Sequence, residues 1–340
     1  MKTWRRFFTA RAHNAALLSV LLAAAAGLAA VLSLCLGAVA LTPDAVLRAL
    51  LGQGDAIESN IVLYVRLPRT CGGLLAGGAL AVSGAIIQGV LANPLAAPHI
   101  IGVNAGAGLL VVLCCAVLPL STAALPVAAF CGAFLGVMLV LLIAERAGAA
   151  RITLVLAGVA MSSIFSAGID ALITLFPDAL NGYSDFRIGG FANLTMARLT
   201  PAFWVIAGCL ALVLLLGNEL DVLMLGAETA HSLGLPVRRV RVGMLALAAA
   251  LAGAAVSFSG LLGFVGLIVP HMMRRLVGEE SRRLIPACAL GGATLLTLCD
   301  VAARTLFAPF ELPVGIVLSL AGGPFFIWLL LRQRGGRLHD

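Results

Sequence analysis

Charged residues are so sparse along this chain that long apolar runs separate them. Stretches without Asp, Glu, Lys or Arg cover residues 12–43, 70–144, 152–169, 199–218, 242–273, 284–299 and 312–331. A helix needs about 20 residues to cross the hydrocarbon layer of a membrane, which is about 30 Å thick. The apolar pattern therefore predicts membrane-spanning helices.

Two of these runs are too long for a single helix. The 75 residues of 70–144 are interrupted by Asn93-Pro94 and by three further prolines, which predicts three spans. The run 242–273 has a Gly-rich middle and predicts one full span followed by a short one. The complete prediction is ten spans at 15–41, 69–91, 100–118, 125–145, 152–176, 199–217, 240–259, 261–273, 284–305 and 313–331.

The composition agrees with this pattern. Hydrophobic residues make up 61% of the chain and charged residues only 11%, with a mean hydropathy of +1.10. Soluble domains are nearer a quarter charged. A bilayer covers apolar side chains that so little polar surface could not shield from water. These proportions exclude a soluble enzyme, a disordered chain and a secreted disulfide module.

The distribution of basic residues predicts the orientation. Cytoplasmic segments carry an excess of Lys and Arg, and an internal N-terminus places 16 of the 22 basic residues on that side. Both termini, residues 1–14 and 332–340, are then cytoplasmic, with an uncleaved first span. The net charge of +7 is therefore explained by the orientation of the chain in the membrane. For this reason no nucleic-acid partner is predicted. Six arginines remain at the outer side: Arg48, Arg66, Arg69, Arg187, Arg198 and Arg304.

The sequence contains no motif of a catalytic or metal site. A phosphate-binding loop needs a lysine, and the single lysine is Lys2. There is no Gly-x-Ser-x-Gly elbow and no His-x-x-x-His pair. We therefore predict no catalytic residue, no metal site and no cofactor bound by this chain. A transporter driven by an ion gradient or by a separate ATPase fits these absences.

Ion coupling requires ionisable groups within the membrane, and two carboxylates are candidates. Asp170 lies in the fifth predicted span, and Asp300 lies four residues before Arg304 in the ninth. One helical turn can pair Asp300 with Arg304, which favours a structural ion pair over a proton relay.

Four sequence blocks carry a resemblance to a known family. They are Arg66-Leu-Pro-Arg69, the segment NPLAAPHIIG at 93–102, the segment GLLGFVGLIVPHMMRRLVG at 260–278, and Glu-Leu-Pro-Val-Gly at 311–315. Together with ten spans they resemble the FecCD family, the permeases of type II ABC importers. The resemblance implies an all-α polytopic fold, one permease domain over residues 1–340, and an inverted repeat relating spans two to five with spans seven to ten.

The family also implies a function and partners. Its permeases pair with a second permease subunit, identical or similar, and two separate ATP-binding subunits use the ATP. An extracytoplasmic binding protein delivers the substrate to the permease in the cytoplasmic (inner) membrane of a prokaryote. We predict import of a metal chelate, with an iron(III)–siderophore first and cobalamin or haem as alternatives. The alternative from another class is an ion-gradient-coupled secondary carrier.

Three arginines at the outer side are predicted to dock the binding protein. Arg66, Arg69 and Arg304 match the family positions that take carboxylates of that protein, and the planar guanidinium suits a carboxylate. The alternatives are snorkelling of the Arg66 and Arg69 side chains to the head groups and pairing of Arg304 with Asp300. Charge reversal at Arg66 and Arg69 is expected to weaken docking while leaving folding intact.

The cytoplasmic loop 218–239 resembles the coupling helix that fits the ATPase. Its middle is prone to helix formation, and Gly234 and Pro236 provide a stop. Leu225, Ala227, Ala230 and Leu233 are expected to form an apolar docking face. The coupling residues predicted from the resemblance are Leu225, Gly226, Glu228, Leu233, Gly234, Leu235 and Pro236.

Two further sets of residues are predicted along the substrate path. Asn93, Pro94 and Thr153 match gate positions of the family, although Asn-Pro is equally typical of a simple turn. Phe186 and Arg187, in the outer loop 177–200, are candidates for contact with the substrate or a partner. Arg187 would attract an anionic chelate or a carboxylate of the binding protein.

Overall fold

The structure is a computed structural model that describes residues 2–118, 121, 123–148, 151–308 and 310–335. This part of the chain is helical and contains no β-strand. Its α-helices are α1 (Lys2–Cys35), α2 (Pro43–Leu50), α3 (Ala56–Asn60), α4 (Leu67–Leu91), α5 (Val103–Val117), α6 (Ala124–Arg146), α7 (Arg151–Leu175), α8 (Ala179–Ile188), α9 (Met196–Leu215), α10 (Gly217–Met224), α11 (Ala227–Ser232), α12 (Val237–Ser259), α13 (Val265–Val277), α14 (Ser281–Thr305) and α15 (Val314–Gly335).

Ten of these helices correspond to the ten predicted spans: α1, α4, α5, α6, α7, α9, α12, α13, α14 and α15. Among the described residues, seven helices are long and apolar enough to cross a membrane, and Val103–Val117 and Val314–Ile327 are shorter apolar helices. The thirteen-residue α13 is the short eighth span. The prediction of an all-α polytopic protein with about ten spans is therefore confirmed. Met1 and residues 336–340, parts of the predicted cytoplasmic ends, lie outside the described residues.

Several helix boundaries differ from the prediction because tertiary contacts set them. Helix α1 ends at Cys35, whereas the apolar run continues to Pro43, and α13 covers Val265–Val277 where 261–273 was predicted. A π-helical segment, Ile61–Arg66, joins α3 to α4 in one continuous helical stretch. The short helices α2, α3, α8 and α10 were not predicted, since their mixed composition produces no apolar run.

Helix α4 is the centre of the packing, with 89% of its most apolar window buried. It packs against α12, α13 and α14. At two of these contacts glycine faces glycine: a Cβ at Gly77 would overlap the carbonyl of Gly292, and a Cβ at Gly84 would overlap that of Gly266. Small residues allow backbones in a membrane bundle to approach closely.

The packing pairs support the predicted inverted repeat. The pair α4–α14 has its counterpart in α12–α6, and the pair α5–α6 in α13–α14. The pairs α4–α13 and α5–α7 likewise correspond to α12–α5 and α13–α15. In each correspondence α4 is exchanged with α12, α5 with α13, α6 with α14, or α7 with α15. These are the exchanges of spans two to five with spans seven to ten that the repeat predicts.

The bundle has two ends that carry different short helices. We name the end with α2, α3 and α8 the α8 end, and the end with α10 and α11 the α11 end. Helix α4 runs from the α8 end to the α11 end, and α14 runs back.

Candidate functional site

A cluster of three arginines and two carboxylates lies at the α8 end. Arg66 ends the π-helical segment, Arg69 is in the first turn of α4, and Arg304 is in the last turn of α14. Asp300 is one turn before Arg304, and Glu311 lies in the segment before α15. We name these five residues the arginine cluster. Its arginines are 3–5% exposed, so all three guanidinium groups are inside the protein.

Arg66 caps the C-terminus of α1. Its Nη1 donates to the carbonyls of Leu34 at 2.7 Å and Cys35 at 2.8 Å, and its Nη2 donates to the carbonyl of Val39. The last carbonyls of a helix lack partners within the helix and carry a partial negative charge, so a cation there is favourable. This contact accounts for the end of α1 at Cys35.

Asp300 and Glu311 neutralise the other two arginines. Asp300 lies 3.2 Å from Arg69 Nη2 and 3.1 Å from Arg304 Nε, which confirms the predicted pair of Asp300 with Arg304. Arg69 Nη1 also lies 2.6 Å from Glu311. The Arg304 guanidinium donates to the Ser33 hydroxyl of α1 at 2.9 Å. The cluster therefore joins α1, α4, α14 and the start of α15.

This geometry corrects one expectation about the docking arginines. Reversing the charge of Arg66 would place a carboxylate against three carbonyls, and reversing Arg69 would place one between Asp300 and Glu311. The expectation that such changes leave folding intact is therefore wrong, because a buried charge without its partner is strongly destabilising. Docking itself stays a prediction. Glu311, whose side chain is 40% exposed, is the member of the cluster that a partner can reach directly.

Phe186 and Arg187 lie on α8, and the residues after them form a junction of three helices. The Phe186 carbonyl accepts from Leu261 N, just beyond the end of α12, at 2.9 Å. Gly190 N donates at 2.8 Å to the carbonyl of Ser259, the last residue of α12. A Cβ at Gly260 would overlap the Phe186 carbonyl, and one at Gly315 would overlap that of Ile188. This junction was not predicted, and its signals in the sequence are the pair Gly189-Gly190 and the glycine of the 311–315 block.

The side chains of the two predicted contact residues differ in exposure. Phe186 is half-buried, whereas Arg187 is exposed. Burial raises the pKa of the neighbouring Tyr183 hydroxyl, while the charges of Arg187 and Asp170 act on it in opposite directions. Arg187 and Asp170 therefore lie within electrostatic reach of the same hydroxyl at the α8 end.

The predicted coupling segment forms a short exposed helix at the α11 end. Gly226, with φ of +108°, precedes α11, and Gly234, with φ of +82°, follows it. Gly234 N donates to the His231 carbonyl and Leu235 N to the Ala230 carbonyl, the paired bonds of a Schellman end. The glycine and Pro236 therefore stop the helix as predicted.

The exposure of this segment changes its expected apolar face. Leu225 and Leu233 are 61% and 63% exposed, and Ala227 and Glu228 are also exposed. Ala230 is fully buried against the protein, so its predicted place on the docking face is wrong. Leu225, Ala227 and Leu233 of the predicted face are therefore exposed, and the two leucines that flank α11 are its large apolar side chains.

Asn93 and Pro94 form an exposed turn after α4, at the α11 end. The Asn93 Oδ1 accepts from Leu95 N at 2.9 Å, and the Asn93 carbonyl accepts from Ala96 N at 3.1 Å. Thr153 lies in the first turn of α7 and is half-buried. The gate role of these residues stays a prediction.

Gln88 and Arg274 form a polar contact near this turn that sequence reasoning missed. Gln88 is 2% exposed and donates to the Gly266 carbonyl at 3.2 Å, while its Oε1 accepts from Arg274 at 2.5 Å. The contact ties α13 to the end of α4. Arg274 was counted only as an orientation signal, because nothing in its sequence neighbourhood points to Gln88.

The remaining titratable groups of the described part offer no metal centre. No group of three His, Cys, Asp or Glu residues among the described residues is arranged to hold a metal ion. Asp300 is committed to two arginines, and Asp170 is exposed on α7. Asp300 thus has a structural role.

These features define a polytopic helical membrane protein with a charge cluster at one end and a short exposed helix at the other. The sequence profile of the FecCD transport family matches residues 21–332. The chain belongs to the FecCD transport family, whose members are permease components of ABC transporters for iron compounds.

Curated relatives and a solved structure agree with this assignment. The chain is 42% identical over 286 residues to the hemin transport system permease protein HmuU of Yersinia pestis, covering 82% of this chain and 85% of that protein. It is 36% identical over 326 residues to the Fe(3+)-citrate import system permease protein YfmE of Bacillus subtilis, covering 95% and 97%. An ABC transporter of metal-chelate type, solved in an inward-facing conformation, superposes with a TM-score of 0.83 at 31% identity, covering 93% and 99%.

Proposed function

We propose that this chain is the membrane-spanning subunit of an ATP-driven importer that moves an iron(III)–siderophore or a related metal chelate into the cytoplasm. The observation that carries the proposal is the family match over 21–332 together with the exposed α11 segment, which offers a site for a separate ATPase. The chain itself is proposed to have no catalytic residue and to bind no cofactor.

The relatives support a metal chelate as the substrate. Because their chelates differ, we propose that the partner proteins determine which one is transported. One relative transports hemin and others import Fe(3+)-citrate or Fe(3+)-hydroxamate. Haem is therefore the second candidate, favoured by the 42% identity to the hemin permease. Cobalamin remains an alternative from the same class of transporter.

The proposed topology places the α11 end in the cytoplasm and the α8 end outside. Both termini are then cytoplasmic, in agreement with the excess of arginine at the α11 end and in the terminal segments. A second permease subunit, two ATP-binding subunits and an extracytoplasmic binding protein complete the proposed importer. Leu225 and Leu233 are proposed to insert into the ATPase, with Gly226, Glu228, Gly234, Leu235 and Pro236 shaping the helix between them.

At the α8 end, the arginine cluster is proposed to receive the binding protein. Because Arg69 is paired with the half-exposed Glu311, a carboxylate of the binding protein would take the place of Glu311 on Arg69. Arg66 and Arg304 are proposed to hold α1 and α14 in position for this exchange, since both guanidinium groups donate to oxygens of α1.

Uptake by the reconstituted transporter tests the proposal. Proteoliposomes containing this chain, its ATPase and the loaded binding protein are expected to accumulate the chelate when ATP is supplied and not when a proton or sodium gradient is applied alone. Accumulation driven by either gradient without ATP would instead establish a secondary carrier.

A further inference from the structure

An apolar groove with a volume of about 520 Å³ runs along α12. Its walls are formed by Phe134 of α6, by Leu216 just after the end of α9, and by residues of α12 from Arg239 to Ala250. Apart from Arg239, every residue that lines it is apolar or glycine. Sites for small molecules have volumes of about 300–1,000 Å³. The groove is therefore large enough for an apolar ligand, and it carries one cation.

The groove is open toward the surface that faces the membrane. Gly243 lines it and is exposed, and a Cβ at this position would have no neighbour within 4 Å. The helices on either side carry exposed leucines, Leu135 and Leu139 on α6 and Leu212 and Leu215 on α9. Lipid tails suit such surfaces, so the groove lies between two faces that fit a bilayer.

The length of the groove matches one leaflet of a membrane. Arg239 lies in the first turn of α12, at the α11 end, and Ala250 lies 11 residues later, which is about 16 Å along the helix. Half of the hydrocarbon layer is about 15 Å thick. An acyl chain whose head group lies at the level of Arg239 would therefore reach Ala250, near the middle of the membrane.

The charge at the mouth of the groove is complementary to a phosphate. Arg239 is exposed and forms no ion pair with the described residues, whereas its neighbour Arg238 lies 2.6 Å from Glu145. The first turn of α12 contains no acidic residue, although the N-terminus of a helix favours a negative charge. Basic pockets between membrane helices bind anionic lipid head groups. A phosphate beside Arg239 would supply the missing negative charge.

From the lining, the length and the charge of the groove, we infer that it binds one phospholipid of the leaflet at the α11 end. One acyl chain lies along α12 between Arg239 and Ala250, and the anionic head group lies on Arg239. The assignment to the cytoplasmic leaflet rests on the topology given under the proposed function. Because the walls belong to α6, α9 and α12, the bound lipid also links the poorly covered α9 to the rest of the bundle.

Native mass spectrometry tests this inference without ATP, chelate or transport. The chain is purified in detergent together with its partner subunits, washed free of lipid, and titrated with phosphatidylglycerol or with phosphatidylcholine of the same chain length. Phosphatidylglycerol is expected to bind once per copy of this chain and about fivefold more tightly than phosphatidylcholine, as suits one arginine beside an anionic head group. Lipids held elsewhere on the surface affect all variants alike, so differences between variants report the groove.

Filling the groove tests the place of the acyl chain. Gly243→Leu puts an apolar side chain into the open space of the groove and is expected to weaken binding of phosphatidylglycerol about tenfold, because the acyl chain loses its buried contacts. The matched control is Gly208→Leu on α9, where the glycine is also exposed and a Cβ also has no neighbour within 4 Å. This control is expected to bind the lipid like the wild-type chain.

Neutralising the arginine tests the place of the head group. Arg239→Gln is expected to weaken binding of phosphatidylglycerol about fivefold and to remove the preference over phosphatidylcholine. The control is Arg275→Gln, which removes an exposed arginine at the same end of the bundle but outside the groove. It is expected to leave both affinities unchanged.

Four outcomes overturn the inference. Equal affinities of Gly243→Leu and Gly208→Leu would show that no acyl chain occupies the groove, and a wild-type affinity of Arg239→Gln would show that this arginine does not hold the head group. Binding of glycerophosphoglycerol, the head group without acyl chains, as tight as that of the lipid would assign the site to a free phosphate ester.

The fourth outcome is loss of a partner subunit from Gly243→Leu with retention in Gly208→Leu, which would assign the groove to a protein neighbour. The same mass spectra report the subunits that remain bound. None of these measurements involves uptake, so failure here is distinguishable from failure of the proposed function.

Discussion

Arg69 and Glu311 are 242 positions apart in the sequence, yet the Arg69 guanidinium lies 2.6 Å from the Glu311 carboxylate. The pair joins the start of α4 to the segment before α15. Because Glu311 is half-exposed whereas Arg69 is buried, the carboxylate occupies the position from which an external acidic residue would approach the arginine.

Removing the charge of Glu311 is therefore expected to strengthen docking of the binding protein. In Glu311→Gln, Arg69 keeps Asp300 but loses the competing carboxylate, and affinity is expected to rise about threefold, as suits a partly exposed ion pair. Biolayer interferometry with immobilised transporter measures the change. Glu58→Gln, the same substitution elsewhere at the α8 end, is the control. A weaker affinity in Glu311→Gln would mean that Glu311 itself contacts the binding protein.

Asp300→Asn is expected to destabilise the protein strongly. The change leaves the buried guanidinium groups of Arg69 and Arg304 without the carboxylate they share, and breaking a buried ion pair costs about 3–5 kcal/mol. Thermal unfolding of the detergent-solubilised protein measures the loss. Asp170→Asn, which removes an exposed carboxylate, serves as the comparison and is expected to leave the melting temperature nearly unchanged. Equal melting temperatures for the two variants would refute the structural role of Asp300.

Gly84→Ala is expected to disrupt the contact of α4 with α13. The added methyl group would overlap the Gly266 carbonyl, and overpacking of a close contact costs about 1–3 kcal/mol or more. Gly208→Ala on α9, where the methyl meets open space, is expected to stabilise the helix by about 0.5–1 kcal/mol. The yield of folded protein and its melting temperature should thus change in opposite directions for the two substitutions. A neutral Gly84→Ala would show that the two backbones are not in contact.

Leu233→Asp is expected to weaken binding of the ATPase by about tenfold or more, because a charge would enter an apolar cleft. Leu233 is highly exposed, so the substitution leaves folding of this chain unaffected. Co-purification of the ATPase and coupled ATP hydrolysis measure the effect. Thr229→Asp, at an exposed polar position of α11, is the control. Normal assembly of Leu233→Asp would exclude the leucine from the ATPase contact.

The sequence predicted those features that depend on local pattern. Charge-free runs located the ten spans, the spacing of Asp300 and Arg304 located their ion pair, and Gly234 with Pro236 located the end of α11. Each of these signals lies within a few residues of the feature that it predicts.

Features that depend on distant contacts were not predictable in the same way. The end of α1 at Cys35 is set by Arg66, which comes 31 positions later. The role of Glu311 depends on Arg69, and the role of Arg274 depends on Gln88. Arginines count alike in a charge pattern whether they face water or cap a helix, so the burial of the docking arginines could not be read from it.

The close contacts of α4 also bear on how the subunit can move. Glycine contacts join α4 to α14 at Gly77 and to α13 at Gly84, while the Ser83 hydroxyl donates to a carbonyl of α12. Rotation of α4 against α13 or α14 would force backbone atoms into one another, and rotation against α12 would break the Ser83 hydrogen bond. We therefore expect α4, α12, α13 and α14 to move as one rigid group within the subunit. Opening and closing of the subunit are then expected to be carried by the less covered helices around this group, α1, α7 and α9.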